Sequence, residues 1–335
     1  MLLPCSSCTA ITATADSLLR LRRLQLCILK GHVMVLPPKR MGRSFKTLRE
    51  VPCKILAEEL GLRIHQRETF TKWELPEATN LVVAVSFGLF VPPRILRSAK
   101  YGGLNVHPSL LPDLRGPAPI HHAILRGYQN TGVSLQTLDD KAFDHGTVLA
   151  QTPRPGIPIP PGCTVQELTS LLAPIGAQLL VQGLRDGVHI PPHQSEDWKA
   201  EDLGDEKLVH APKVTKADGR VNWGEWTADE FARRVRVLGS VWTHAVNKKD
   251  QRKRLIIQDA EVASPEDVAI YGAQVSFPLK PEMGLDGPKH EALISNQCDG
   301  SSIIQIPNGE LIRVKKIKEE GKPERDSMVV LRSFR

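Results

Sequence analysis

The sequence has little of what would make a membrane-spanning or disulfide-built protein. Its longest apolar run, LVVAVSFGLFV from Leu81, is 11 residues, well short of the ~18 a transmembrane helix needs. A soluble chain with no membrane partner is expected. Six cysteines are scattered through 335 residues, too few and too irregular for a disulfide framework in a chain this long. Cys5 and Cys8 have the spacing of a redox or zinc pair, but no second pair faces them, and no metal is expected. Acid is nearly absent from the start. Residues 1–49 hold nine Lys/Arg and only Asp16, a charge of +8, whereas residues 50–210 sum to −4. The basic excess is therefore local and does not describe the middle of the chain.

What is present reads as two domains, at ~150 residues each. Residues 1–32, first Ser/Thr-rich and then Arg/Leu-rich, form a divergent start with the composition of an organelle transit segment; the alternative is a core strand in LQLCILK. Residues 36–50, with Lys39, Arg40, Arg43, Lys46 and Arg49, read as an exposed basic loop able to contact phosphate. VPCKILAEELGL then has helical spacing and a Gly stop. NLVVAVSFGLFVPP is continuously apolar, as a strand buried on both faces of a parallel sheet would be, and KYGGLNVH reads as the next strand. This alternation predicts an α/β, doubly wound, mostly parallel sheet over residues 33–190, with its ligand crevice beyond the carboxyl ends of the strands. TGVSLQTL and TVLAQ are two further strands around a turn, DDKAFDHG. Thr164 to Glu167 is a capping box opening a long helix, bent at Pro174 and closed by Gly187. Residues 191–216 are polar and unpatterned, a linker. Residues 217–335 hold one more capped helix and then short β patterns, a smaller C-terminal barrel-like domain.

Chemistry concentrates in NVHPSLLPDLRGPAPIHHAI. Asn105 and His107 end a strand and, two residues apart, leave it on the same face. An amide, an imidazole and a carboxylate are the parts needed to pass an acyl group to an amine. No Ser or Cys sits in a Gly-rich elbow, so direct transfer is expected rather than a covalent intermediate. Asn105 would donate to the developing oxyanion. His107, expected as a neutral ring, would hydrogen-bond the same centre or move the amine proton, and Asp144 would hold its tautomer and charge.

These residues resemble the N-x-H, SLLP and RG-x-x-P signature of the 10-formyltetrahydrofolate-dependent formyltransferases. SFGLFVP looks like the matching strand and loop, and FDHG like the family's downstream Asp-x-Gly. Within the family, the branch acting on tRNA is most similar, because the basic loop and a C-terminal β domain lie where that branch has them. The resemblance implies catalytic roles for Asn105, His107 and Asp144, and folate contacts from Ser109, Leu110, Leu111 and Pro112. It also implies a pterin-lining loop at Phe87, Gly88 and Leu89. The donor substrate would be 10-formyltetrahydrofolate, a reduced folate, and the acceptor initiator methionyl-tRNA. The tRNA would be held by Lys39–Arg49 and by Lys248, Lys249, Arg252, Lys253 and Arg254 of the second domain. A monomer in the mitochondrial matrix is implied. Two features depart from the family: residues 1–32 lack its opening strand and Gly loop, and DDKAFD lacks the Gly it carries before its Asp. Two alternatives keep the same residues: a formyltransferase or hydrolase acting on a small molecule, and an inactive tRNA-binding descendant.

Overall fold

The structure is a computed structural model that describes residues 9–12, 31–41, 47–196, 208–268, 270–280 and 287–334. It divides into two compact units, a first reaching Lys213 and a second formed by Ile124–Gly127 and Val214 onward.

In the first unit, strands β1 (Thr9–Thr12), β2 (His32–Val35), β5 (Arg63–Gln66), β6 (Val82–Val85) and β7 (Gly103–His107) run parallel, and β9 (Ser134–Thr137) and β10 (Val148–Gln151) extend the sheet antiparallel. The order is β10-β9-β7-β6-β1-β2-β5. The chain thus builds outward from β1 in one direction and from β6 in the other, and its switch point lies between them, where an open α/β sheet leaves a crevice. β6 is buried at every position, which is what its unbroken Val/Ala sequence requires of a strand covered on both faces. A hairpin of β3 (Lys39–Met41) and β4 (Thr47–Arg49) occupies the stretch expected to be a loop. Short pairing also joins β8 (Asn130–Thr131) to β11 (Ile157–Pro158).

Residues 9–12 differ from expectation. They lie in the stretch of transit-like composition, yet TAIT is a central strand, paired in parallel with both β2 and β6. Four residues in a Ser/Thr-rich stretch carry too little hydrophobic pattern to announce a strand, and only the neighbours on either side reveal it. The alternative strand LQLCILK lies outside the described residues.

Helices α1 (Pro52–Glu59), α2 (Pro93–Ser98), α3 (Pro119–Leu125) and α4 (Val165–Asp186) connect or cover these strands. The start of α4 is a complete capping box: Thr164 Oγ1 accepts from Glu167 N at 3.2 Å, and the Glu167 carboxylate accepts from Thr164 N at 2.8 Å. Such a cap contributes about 1 kcal/mol. The helix runs continuously through Pro174 and stops at Gly187, which takes the left-handed conformation.

In the second unit α5 (Ala228–Leu238) precedes an antiparallel sheet in the order β12-β13-β17-β16-β15-β14. Its strands are β12 (Val241–Val246), β13 (Arg252–Ala263), β14 (Ala273–Pro278), β15 (Lys289–Asn296), β16 (Ser302–Gln305) and β17 (Leu311–Glu319), with β18 (Glu324–Asp326) paired to β17. The sheet curls until β12 and β14, its two edges, meet. A core of Trp223 stacked on Phe277 at 4.4 Å, with Phe231 and the inward Val and Ile residues, fills it. The chain closes with α6 (Ser327–Leu331).

Candidate active site

The site begins with register. β7 places Asn105 and His107 on one face of the sheet, and in β9 the residues directly opposite them are Gln136 and Ser134. Four polar side chains therefore share a face that is otherwise core, and three of them, His107, Gln136 and Ser134, are buried. Burying polar groups without partners costs ~1–3 kcal/mol each, and the face is largely hydrogen-bonded internally, Gln136 Oε1 being left without a partner. Ser134 Oγ donates to Ser109 O and accepts from Leu111 N, tying the loop after β7 to β9.

Asp144 closes the arrangement. The turn carrying it lacks the expected glycine and is shaped instead by Asp139, whose Oδ1 accepts from the backbone N–H of Lys141 and Ala142 at 2.9 and 2.8 Å. Asp144 itself takes the left-handed φ of +57°, which Asp tolerates better than most residues. Two residues on, a Cβ at Gly146 would lie 1.7 Å from Thr137 O. That position admits glycine alone, and the close approach fixes where the turn sits.

The Asp144 carboxylate receives four donors. Oδ1 lies 3.2 Å from Asn105 Nδ2, 3.1 Å from Gln136 Nε2 and 3.3 Å from His107 Nδ1, and Oδ2 accepts from Gly116 N at 3.0 Å. Burial by itself would raise this carboxyl. The hydrogen bond and charge of His107, with Gly116 and Gln136, outweigh burial and hold it below the usual carboxylate range.

His107 is 4% exposed, and its Nε2 faces Leu114 O at 3.0 Å. Both ring nitrogens thus meet acceptors, whereas a neutral imidazole has a single N–H. To take a proton from an amine, Nε2 must exchange the Leu114 carbonyl for it. Asn105 keeps a second amide hydrogen beyond the one given to Asp144.

The loop residues expected to hold a folate divide. Phe87 is buried against Phe70, ring centroids 5.9 Å apart. Ser109 is buried with its hydroxyl donating to Asp113 O, and the carbonyl of buried Leu111 accepts from Gln151 Nε2. These three shape the loops. Gly88 is exposed at φ +77°, and Leu89, Leu110 and Pro112 keep partial exposure. Among the described residues no cluster suited to a metal occurs.

The basic residues divide as well. Lys39 and Arg40 lie on β3 and Arg49 on β4, Lys39 opposite Arg49; Arg43 and Lys46 lie outside the described residues. In the second unit Lys248 and Lys249 are exposed in the β12–β13 turn. Arg252 and Arg254 lie opposite Val246 and His244 and so share the face of Trp242, with the Arg254 guanidinium 4.2 Å over the indole. Lys253, opposite Ala245, falls on the other face, because strand neighbours alternate. The five cations do not form one patch.

A methionyl-tRNA formyltransferase of Acidobacterium capsulatum is 30% identical over 270 residues, 76% of this chain and 82% of that protein. The family described as formyl transferase matches residues 28–184. This chain belongs to the formyl transferase family. The human mitochondrial methionyl-tRNA formyltransferase is 33% identical over 159 residues, but the match spans 48% of this chain and 39% of the human protein. Among solved structures, an N-formyltransferase from Helicobacter canadensis in complex with folinic acid and dTDP-3-aminofucose superposes with a TM-score of 0.57. It is 13% identical and covers 92% of this chain and 98% of its own, a likeness of fold.

Within this formyl transferase, sequence reasoning missed Gln136, Leu114 and Gly116. Gln136 left a readable signal: in TGVSLQTL the polar Ser134 and Gln136 alternate with apolar residues, so they face together. Leu114 and Gly116 left none. Their loop is held from far along the chain, Leu114 N donating to Val209 O at 2.8 Å and Ala211 N to Arg115 O at 2.7 Å. The end of the stretch expected to be a linker, residues 208–212, is thereby part of the first unit.

Proposed function

We propose that this chain transfers the formyl group of 10-formyltetrahydrofolate to the α-amine of methionine carried by initiator tRNA. The observation that carries the reading is the hydrogen-bonded set of Asn105, His107 and Asp144 at the tip of β7. The amine attacks the formyl carbon, and the oxygen gains negative charge to which the second Asn105 N–H can donate a hydrogen bond. One donor of this kind contributes about 10²–10³ in rate. His107 leaves Leu114 O, takes the proton the amine sheds and passes one to N10 as the C–N10 bond breaks, while Asp144 steadies the charged ring. The pterin end of the donor lies against the Gly88 backbone, Leu89, Leu110 and Pro112, the family's loop residues that keep exposure.

The tRNA acceptor is supported by relatives named methionyl-tRNA formyltransferases and by the cationic turn and Arg–Trp face of the second unit. Residence in mitochondria is proposed from the human and bovine relatives and the basic N-terminal composition. The test is formyl transfer to initiator tRNA charged with methionine. Transfer dependent on both the folate and the aminoacyl group is expected. A chain that binds reduced folate yet leaves charged tRNA unformylated refutes the acceptor assignment.

A further inference from the structure

Segment 208–212 lies along the loop that follows β7. Leu114 N donates to Val209 O at 2.8 Å and Val209 N to Asp113 Oδ1 at 2.8 Å, while Ala211 N donates to Arg115 O at 2.7 Å and Ala118 N to Ala211 O at 3.2 Å. Gly116, at φ +122°, lets the segment come this close, since a Cβ there would fall 2.5 Å from Ala211 O. The loop held in this way supplies a backbone group to each of two residues of the site: Leu114 O faces His107 Nε2, and Gly116 N donates to Asp144 Oδ2. Leu114 makes its contact from the left-handed conformation, φ +56°, which a residue with a Cβ keeps only where its surroundings hold it. The segment provides that hold. The buried Leu114 side chain packs with Ala211 and Ala123, and its N–H is the one given to Val209.

We propose that segment 208–212 is a strap that keeps His107 capped by the Leu114 carbonyl until the aminoacyl acceptor is bound. The proposal rests on the transfer reading above. An Nε2 facing a carbonyl neither takes a proton from an amine nor activates water, so the closed strap guards the formyl donor against hydrolysis. With the strap lifted, Leu114 relaxes from the left-handed conformation and its carbonyl turns away from the ring. Only that form offers Nε2 to the amine, and the acceptor favours it by this hydrogen bond; a ligand shifts an equilibrium only through such a difference. Place in the chain serves the same end. Lys213 is the last residue of the first unit, so the chain enters the second unit directly from the strap, and an acceptor held there acts on the strap's own end. Asp113 is the positioning residue, its Oδ1 accepting from Val209 N and its Oδ2 from the Tyr128 hydroxyl at 3.1 Å.

The test is hydrogen exchange in the wild type, free and saturated with initiator tRNA charged with methionine, with the folate left out. The amides of Leu114, Val209 and Ala211 are expected to lose protection together, by about 10-fold or more. Unchanged protection with the tRNA bound overturns the strap alone. A chain that does not retain the charged tRNA in filter binding overturns the transfer reading, and the strap's trigger with it. A second measurement is formate release from 10-formyltetrahydrofolate without acceptor. In Asp113→Ala the strap loses its pin and water takes the amine's place: its oxygen bonds to the formyl carbon, the C–N10 bond breaks, one water proton reaches N10 through His107, and formic acid leaves, ionised as formate. That rate is expected to rise by about 10-fold or more, whereas a purely structural residue would lower activity when removed. Asp113→Asn, which keeps an oxygen for the Val209 N–H, should bring the rate back towards the wild type. A folded Asp113→Ala without the rise overturns the inference.

Discussion

At the scale of single residues, the chemistry rests on how many donors one carboxylate collects. Asp144 is held below its ordinary range by contacts made only in the folded state. The stability those contacts contribute is present above the ordinary carboxylate pKa, near 3.8, and is lost as pH falls through the lower folded value. Asp144→Asn, which keeps the left-handed backbone within reach, removes that dependence. The Tm advantage of the wild type over the variant should be full at neutral pH and shrink below about pH 4; an advantage unchanged down to pH 2 would contradict the ionised, hydrogen-bonded carboxylate. Asn105→Ala and His107→Ala should each lower kcat by about 10² or more with the fold retained, as read by transfer assay beside circular dichroism. Near-normal turnover in either removes that residue from the mechanism.

At the scale of elements, the turn between β9 and β10 and the cap of α4 make separable predictions. Gly146→Ala forces a Cβ onto the Thr137 carbonyl, so the turn must move and take Asp144 with it. Overpacking of this kind costs about 1–3 kcal/mol, and the expected result is a lowered Tm with a disproportionate loss of turnover. Thr164→Ala should cost about 1 kcal/mol in urea unfolding and leave kcat unchanged, because the cap touches nothing at the β7 tip. The sequence announced α4, β6, β7 and the Asn–His pair directly, through a capping box, an unbroken Val/Ala run and two polar residues ending a strand. It did not announce β1, whose four residues carry no pattern of their own, nor the 208–212 segment, whose pairing with the Leu114 loop spans about 95 residues.

At the scale of the whole molecule, binding of tRNA should be electrostatic and therefore sensitive to salt. Lys248 and Lys249 are exposed at a turn, where each can meet one phosphate. Replacing either with Ala should lower the slope of log Kd against log salt by about 0.7–0.9, measured by filter binding across a salt series, with the same effect on any tRNA. Lys253 lies on the other face of β13 from Arg252 and Arg254, and Lys253→Ala should leave the slope unchanged. A slope unaffected by all three variants would move the RNA surface elsewhere.

The chain's sequence by itself determined the fold class, the two-domain plan and the three residues proposed for chemistry, because each depends on short-range spacing: period two in a strand, a cap three residues from its partner, glycine after an acidic turn. The tertiary structure alone decided that His107 is turned to the Leu114 carbonyl and that Gln136 and Gly116 complete the carboxylate's donors. Those features are made by groups brought together from distant parts of the chain, and a contact across a fold leaves no period in the sequence to read.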